Sequence, residues 1–103
     1  MHPSLQQHRA DLEALCRRYH VLRLEVFGSA ARGEDFDPAR SDVDFLVELD
    51  RAQVKPTLHT FFELQERLAE ILGRPVDLVM AGAVRNPYLQ ADIEGSRETV
   101  YAA

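Results

Sequence analysis

Two carboxylates stand one residue apart in the segment DVDFLV, where a half-buried strand is predicted to begin. Side chains two residues apart on a strand point the same way, so Asp42 and Asp44 aim their carboxylates at one place. At about 4 Å and an effective dielectric near 20, two such charges repel by about 4 kcal/mol. A divalent cation reverses the sign of that interaction, and Mg²⁺ takes oxygen ligands from one or two carboxylates together with water and substrate phosphates. The pair therefore predicts a magnesium site that acts on a phosphate-bearing substrate.

A glycine-serine pair lies directly behind an apolar stretch and supplies a complementary feature. Gly28 follows VLRLEVF, and glycine permits a close approach of backbone to ligand. A helix that starts near Ser29 would turn backbone N–H groups and a hydroxyl toward a phosphate. Arg32 lies one turn further on and could neutralise phosphate charge, although a solvated surface arginine is the alternative. The segment therefore predicts a phosphate-binding turn.

The elements that must position these residues follow from the spacing of apolar side chains. The predicted helices are, in order, one over about 4 to 19, one over about 55 to 72 with Pro56 in its first turn and Gly73 as its cap, and one from Asn86-Pro87 to about Glu94 closed by Gly95. The predicted strands are Val21 to Phe27, Asp42 to Leu49, the segment RPVDLVM and, at the edge of the sheet, RETVYAA. Phe61, Phe62 and Cys16 are expected in the core.

The site requires a particular topology. Gly28 ends the first strand and Asp42 begins the second, so these strands must run antiparallel to bring the two motifs together. Asp77 stands near the start of the third strand, after a long crossover helix of the kind that joins parallel strands. A parallel third strand would make Asp77 a third carboxylate, as two-metal phosphoryl transfer requires, whereas a one-residue register slip would turn it away. We therefore expect an α/β (α+β) fold, with a small mixed sheet and helices packed on it, as one domain over residues 1–103.

Composition narrows the class of protein. The chain has 103 residues, of which 46% are hydrophobic and 28% charged, and it contains no apolar run long enough to span a bilayer. A net charge of -5 argues against direct binding to a nucleic-acid backbone. No secretory leader is visible, so a cytoplasmic location is expected. The lone Cys16 excludes a disulfide framework.

Two further segments compete with these motifs. Asp35-Phe36-Asp37 is a second D-x-D, but it precedes Pro38 in a predicted loop and is interpreted as solvated. Gly95-Ser96 is a second Gly-Ser pair, which lacks both a strong preceding strand and a following D-x-D. It is interpreted as an ordinary turn.

These motifs resemble the polymerase-β-type nucleotidyltransferase superfamily, whose signature is Gly-Ser, a loop and then Asp-x-Asp. Here twelve residues separate Ser29 from Asp42, slightly more than is common in that superfamily, which leaves the path of the loop over 33–41 open. The segments GSAARGE, SDVDFLVEL, GRPVDLV and RNPYLQADI are similar to the minimal nucleotidyltransferases, the MNT antitoxins encoded beside HEPN-domain toxins. The similarity runs over nearly the whole chain.

The resemblance implies a polymerase-β-like fold and a role for each motif. Gly28 and Ser29 would hold the phosphates of ATP. Asp42 and Asp44 would bind two magnesium ions, while Asp77 would complete the metal site and help to deprotonate the acceptor. The implied reaction is Mg-dependent transfer of AMP from ATP to a tyrosine of a cognate HEPN ribonuclease toxin, which neutralises the toxin within a hetero-oligomer.

Two other functions stay open beside this one. The chain could be a non-catalytic antitoxin that inhibits its toxin by binding, or a small-molecule nucleotidyltransferase. The three aspartates favour an enzyme, because a vestigial site has no reason to keep charges that repel each other. No acceptor domain is visible in the sequence, so a protein partner is expected to complete the substrate pocket, which disfavours the small-molecule reaction.

Overall fold

The computed structural model describes residues 2–32, 42–55 and 57–103. Within these ranges the strands are β1 (Val21–Phe27), β2 (Val43–Leu49), β3 (Val76–Met80) and β4 (Glu98–Ala102). The helices of the same ranges are α1 (Pro3–Gln6), α2 (Arg9–Arg18), α3 (Ser29–Arg32), α4 (Leu58–Leu72) and α5 (Pro87–Ser96). The sheet has the order β3-β2-β1-β4. Strand β1 is antiparallel to β2 and β4, and β2 is parallel to β3, so the predicted mixed sheet is confirmed.

The two faces of the sheet are covered differently. One face carries the main core, in which α2 and α4 pack on the sheet. The alternation predicted for β2 is confirmed, because Val43, Phe45 and Val47 are all fully buried in this core. The opposite face has a smaller apolar cluster of Phe27, Leu46 and Ile93, which joins α5 to β1 and β2. The rest of that face near the start of β2 is left to polar side chains.

Helix ends follow local chemistry in α4 and α5. The Thr57 side chain accepts a hydrogen bond from the Thr60 N–H at 3.1 Å and caps the start of α4, and Gly73 ends that helix at a φ of +68°. Asn86 caps α5 by accepting from the N–H of Tyr88, with Pro87 at the first helical position. The predicted roles of Gly73, Asn86 and Pro87 are confirmed.

The single helix predicted over 4 to 19 is wrong, because the structure has α1 and α2 in its place. At the junction His8 adopts φ -105° and ψ 10°, and its N–H donates to the Leu5 carbonyl three residues back instead of four. The apolar spacing survives the break because Leu5 and Leu12 both lie in the main core. Spacing alone therefore could not reveal it.

Two other boundaries and one core assignment differ from the sequence predictions. Helix α4 begins at Leu58 and not near residue 55, and Pro56 lies outside the described residues. Gly95 does not close α5, because the Arg97 N–H still donates to the Ile93 carbonyl at 2.8 Å. Phe62 is 54% exposed and so does not belong to the core, whereas Phe61 packs against it. No helix in the described ranges is long and apolar enough to cross a bilayer.

One charged side chain is buried in the sheet. Glu25, in the middle of β1, is only 5% exposed. Its two carboxylate oxygens accept hydrogen bonds from Arg97 Nη2 at 2.6 Å and Arg97 Nε at 2.8 Å. These bonds from Arg97 hold the pKa of Glu25 below its ordinary value. The paired geometry ties the end of α5 to the centre of the sheet.

Arg97→Ala should destabilise the protein by about 2 kcal/mol at neutral pH, because it leaves the buried Glu25 carboxylate without its donor. The folded-state pKa of Glu25 is lowered, so the stability from this pair is present above the unfolded value of 4.5 and is lost as the pH falls through the folded pKa. Urea unfolding of both proteins should show the gap shrinking on acidification. Arg67→Ala breaks an exposed pair with Glu70 and should cost under about 1 kcal/mol. Equal losses for the two variants would contradict a structural role for the buried pair.

Candidate active site

The end of β1 meets the start of β2 at a close contact. Phe27 pairs with Asp44 across the antiparallel ladder, which places Gly28 beside the Asp44 carboxylate. A Cβ added at Gly28 would lie 3.0 Å from Asp44 Oδ2, and the Gly28 φ is +73°. Both the backbone conformation and the close approach therefore require glycine at this position. Helix α3 begins directly after it, at Ser29, as predicted.

The parallel pairing of β2 and β3 brings in the next carboxylate. Asp44 and Asp77 are direct partners in the register of these strands. Val76 and Leu78 are buried on the core side, so Asp77 is exposed on the face that carries Asp44. The two buried neighbours resist a one-residue slip, which would move them into solvent. Asp42 precedes β2 and is exposed.

Burial and like charge together set the electrostatics of this end of the sheet. The pKa of Asp44 is raised to about 6, first by burial and then by the negative charges of Asp77, Asp42 and Asp92. The predicted residues Asp42 and Asp77 are thus each within electrostatic reach of Asp44. At neutral pH their mutual repulsion favours any cation that can enter the cluster.

Helix α5 adds two residues to this cluster that the sequence predictions did not include. Asp92 accepts a hydrogen bond from Arg32 Nη1 at 3.1 Å, and it is one of the charges that raise the pKa of Asp44. Ser96 Oγ accepts from the Gly28 N–H at 2.8 Å. The interpretation of Gly95-Ser96 as an ordinary turn is wrong, because Ser96 is the last residue of α5 and contacts the first Gly-Ser pair. Their four-residue spacing on one helix was an available signal.

Some backbone groups of the predicted phosphate-binding turn already make hydrogen bonds within the protein. The Gly28 carbonyl accepts from the N–H groups of Ala31 and Arg32, each at 3.1 Å, and the Gly28 N–H is taken by Ser96. The N–H groups of Ser29 and Ala30 have no acceptor within the part of the chain that the structure describes. Ala30 is fully buried, so of the two only the N–H of the half-buried Ser29 lies where a ligand oxygen could reach it.

The carboxylates suit a magnesium ion that also binds oxygens of a substrate, and not one that is bound by protein ligands alone. Among the described residues, no three His, Cys, Asp or Glu side chains are arranged to hold a metal by themselves. Magnesium commonly uses one or two protein carboxylates and completes its octahedron with water and substrate phosphates. Asp42, Asp44 and Asp77 supply such oxygens, and a cation would relieve the repulsion that, after burial, raises the pKa of Asp44. The arrangement suits a metal that arrives with a polyphosphate.

The class of protein follows from comparison with known families. Residues 10–100 match the nucleotidyltransferase domain family, and the chain belongs to that family. It is 31% identical to a solved structure of a candidate minimal nucleotidyltransferase, with a TM-score of 0.73 and 95% of each chain covered. The predicted polymerase-β-like fold and the resemblance to minimal nucleotidyltransferases are confirmed.

Individual relatives carry more specific names. The chain is 37% identical over 97 residues to the protein adenylyltransferase MntA of Thermococcus cleftensis, covering 94% of this chain and 87% of the relative. A candidate protein adenylyltransferase of Methanocaldococcus jannaschii is 40% identical over 90 residues, covering 87% and 84%. A tri-AMPylated HEPN toxin of Shewanella oneidensis in complex with MNT antitoxin matches with a TM-score of 0.67 over 95% of this chain and 72% of that one. At 19% identity this last likeness shows the fold alone.

Asp44→Asn should stabilise the metal-free protein by about 1 kcal/mol at neutral pH, because it removes a half-buried carboxylate from the repelling cluster. The folded-state pKa is raised, so wild-type stability falls as the pH rises from the ordinary value of 3.8 through about 6. The variant lacks this fall, and the gap should therefore open across that window. Thermal unfolding over a pH series measures it. Glu48→Gln, an exposed site on the same strand, is the control, and a variant at residue 44 that is less stable than wild type would refute the repulsion.

Proposed function

We propose that this nucleotidyltransferase transfers AMP from ATP to a tyrosine of a HEPN-domain ribonuclease toxin and so neutralises it. The observation that carries the proposal is the register of β2 and β3, which sets Asp77 opposite Asp44 beside the Gly28 turn. Relatives covering most of the chain are named as protein adenylyltransferases, and a protein of the same fold accompanies an AMPylated HEPN toxin. Since the proposed donor is ATP, we also propose the cytoplasm as the site of the reaction.

The proposed reaction exchanges one bond to phosphorus for another. The tyrosine hydroxyl oxygen bonds to the α-phosphorus of ATP, the bond from that phosphorus to the bridging oxygen breaks, and pyrophosphate leaves. The phenolic proton passes to the Asp77 carboxylate, which is exposed at the edge of the site and so accessible to an acceptor from another protein. Asp42 and Asp44 would hold magnesium, whose charge supports the attacking oxygen and the leaving pyrophosphate.

Arg32 is the proposed cation for the phosphates. In the structure its guanidinium pairs with Asp92, and both side chains are 45% exposed. An exposed ion pair is worth little, so Arg32 can exchange this carboxylate for a phosphate oxygen without a large loss. The exchange would place a bidentate donor on the triphosphate and leave Asp92 facing the entering metal.

Mg-ATP should raise the melting temperature of the wild-type protein by roughly 10 °C at 100 times its dissociation constant, since such binding adds about 2.7 kcal/mol. Asp42→Asn combined with Asp44→Asn should abolish the shift while the protein stays folded. The same pair of changes at Asp35 and Asp37, the competing D-x-D, should leave the shift intact. A shift that survives in the first double variant would show that ATP does not use this cluster.

Mass spectrometry of the HEPN toxin co-expressed with this protein should show a mass gain of one or more AMP units. Asp77→Asn should reduce the rate of that gain by about 10² or more, because the acceptor loses its general base. Thr57→Ala, at the far helix cap, should leave the gain unchanged. An unmodified toxin that is nevertheless fully inhibited would replace catalysis with inhibition by binding. AMP found on a small molecule instead would establish a small-molecule nucleotidyltransferase.

A further inference from the structure

Ser96 forms a continuous hydrogen-bonded link between α5 and the Gly28 turn. Its Oγ donates to the Asp92 carbonyl at 2.6 Å and accepts from the Gly28 N–H at 2.8 Å. A serine hydroxyl has one donor hydrogen, so the bond to Asp92 fixes the direction of its remaining lone pairs. The acceptor that meets Gly28 is therefore oriented by the helix and not free to rotate.

Gly28 is the residue of the site for which an external restraint matters most. Glycine adopts both signs of φ with similar ease, yet this site requires the positive φ of +73°. The Asp44 carboxylate lies against the same residue, so a small rotation of the Gly28 backbone would alter the contact between turn and carboxylate. The bond to Ser96 restrains this backbone from the side opposite to β2.

Helix α5 contacts the sheet through residues on both sides of Ser96. Three residues before it, Ile93 is 4% exposed and packs with Phe27 and Leu46. One residue after it, Arg97 makes its two hydrogen bonds with the buried Glu25. Because packing holds the helix before Ser96 and a charged pair holds the chain after it, α5 can set the position of the Ser96 hydroxyl.

We propose that Ser96 is a positioning residue for nucleotide binding, which holds the Gly28–Ser29 turn in the conformation that the phosphates of ATP require. This inference rests on the proposed function and adds a residue that acts through Gly28 without touching the nucleotide. It also assigns different tasks to the two Gly-Ser pairs of the chain. The first binds, and the serine of the second orients the first.

Ser96→Ala should weaken binding of Mg-ATP about tenfold, equal to about 1.4 kcal/mol, when the dissociation constant is measured by calorimetry on the whole protein. Ser96→Thr retains the hydroxyl and should restore most of the affinity. In the nucleotide-free protein, the Gly28 amide should exchange with solvent faster in the alanine variant than in wild type, as followed by NMR. This second measurement reports the hydrogen bond independently of any activity.

Thr57→Ala is the matched control, because it also removes a hydroxyl that accepts from a backbone N–H, but at the start of α4. It should lower the melting temperature without changing the affinity for Mg-ATP or the exchange of the Gly28 amide. Unchanged affinity in Ser96→Ala would overturn the inference while leaving the proposed function intact, and so would a gain in affinity. Absence of Mg-ATP binding by the wild-type protein would instead overturn the proposed function, and the inference with it.

Discussion

Repulsion between carboxylates that the fold holds together is the interaction on which the rest of this structure depends. Asp44 is half-buried, and it faces negative charge from Asp42, Asp77 and Asp92. Burial and each neighbouring carboxylate make ionisation of Asp44 more costly, and among the described residues the Arg32 pair with Asp92 is exposed and offsets little of that cost. The sheet supplies the compensation through its opposite face, where Val43, Phe45 and Val76 lie in the main core. Burial of apolar side chains on one face of β2 and β3 thus holds the mutually repelling carboxylates together on the other face.

Strand order explains why such a short chain can assemble this site. The central strands β1 and β2 run antiparallel, which sets the end of one against the start of the other, and the parallel β3 begins at the same edge. Three chain segments therefore meet at one end of the sheet. Helix α5 closes the remaining side through Ile93, Asp92 and Ser96, which contribute packing, charge and a hydrogen bond respectively.

The parts of the fold that sequence could predict are those in which one local pattern has one structural meaning. Alternation in β2 identified the face that carries Asp44, and a crossover helix before RPVDLVM implied the parallel β3. The break at His8 was invisible because the apolar residues on both sides still meet the same core. The roles of Asp92 and Ser96 depend on where α5 docks, and helical spacing does not determine that. Phe62 was misplaced because the apolar face of α4 is narrower than its apolar residues suggest.

The bond between Ser96 and Gly28 joins residues that are 68 positions apart in the chain. During translation the glycine, the serine beside it, Asp42 and Asp44 are synthesised long before α5, and Asp77 shortly before it. A nascent or truncated chain can therefore contain every residue of the motif and still lack the Ser96 hydrogen bond that holds the turn at Gly28. For this protein, finding the motif in a fragment is not equivalent to finding a competent enzyme, because α5, which follows all of these residues in the chain, contributes a hydrogen bond to the turn at Gly28.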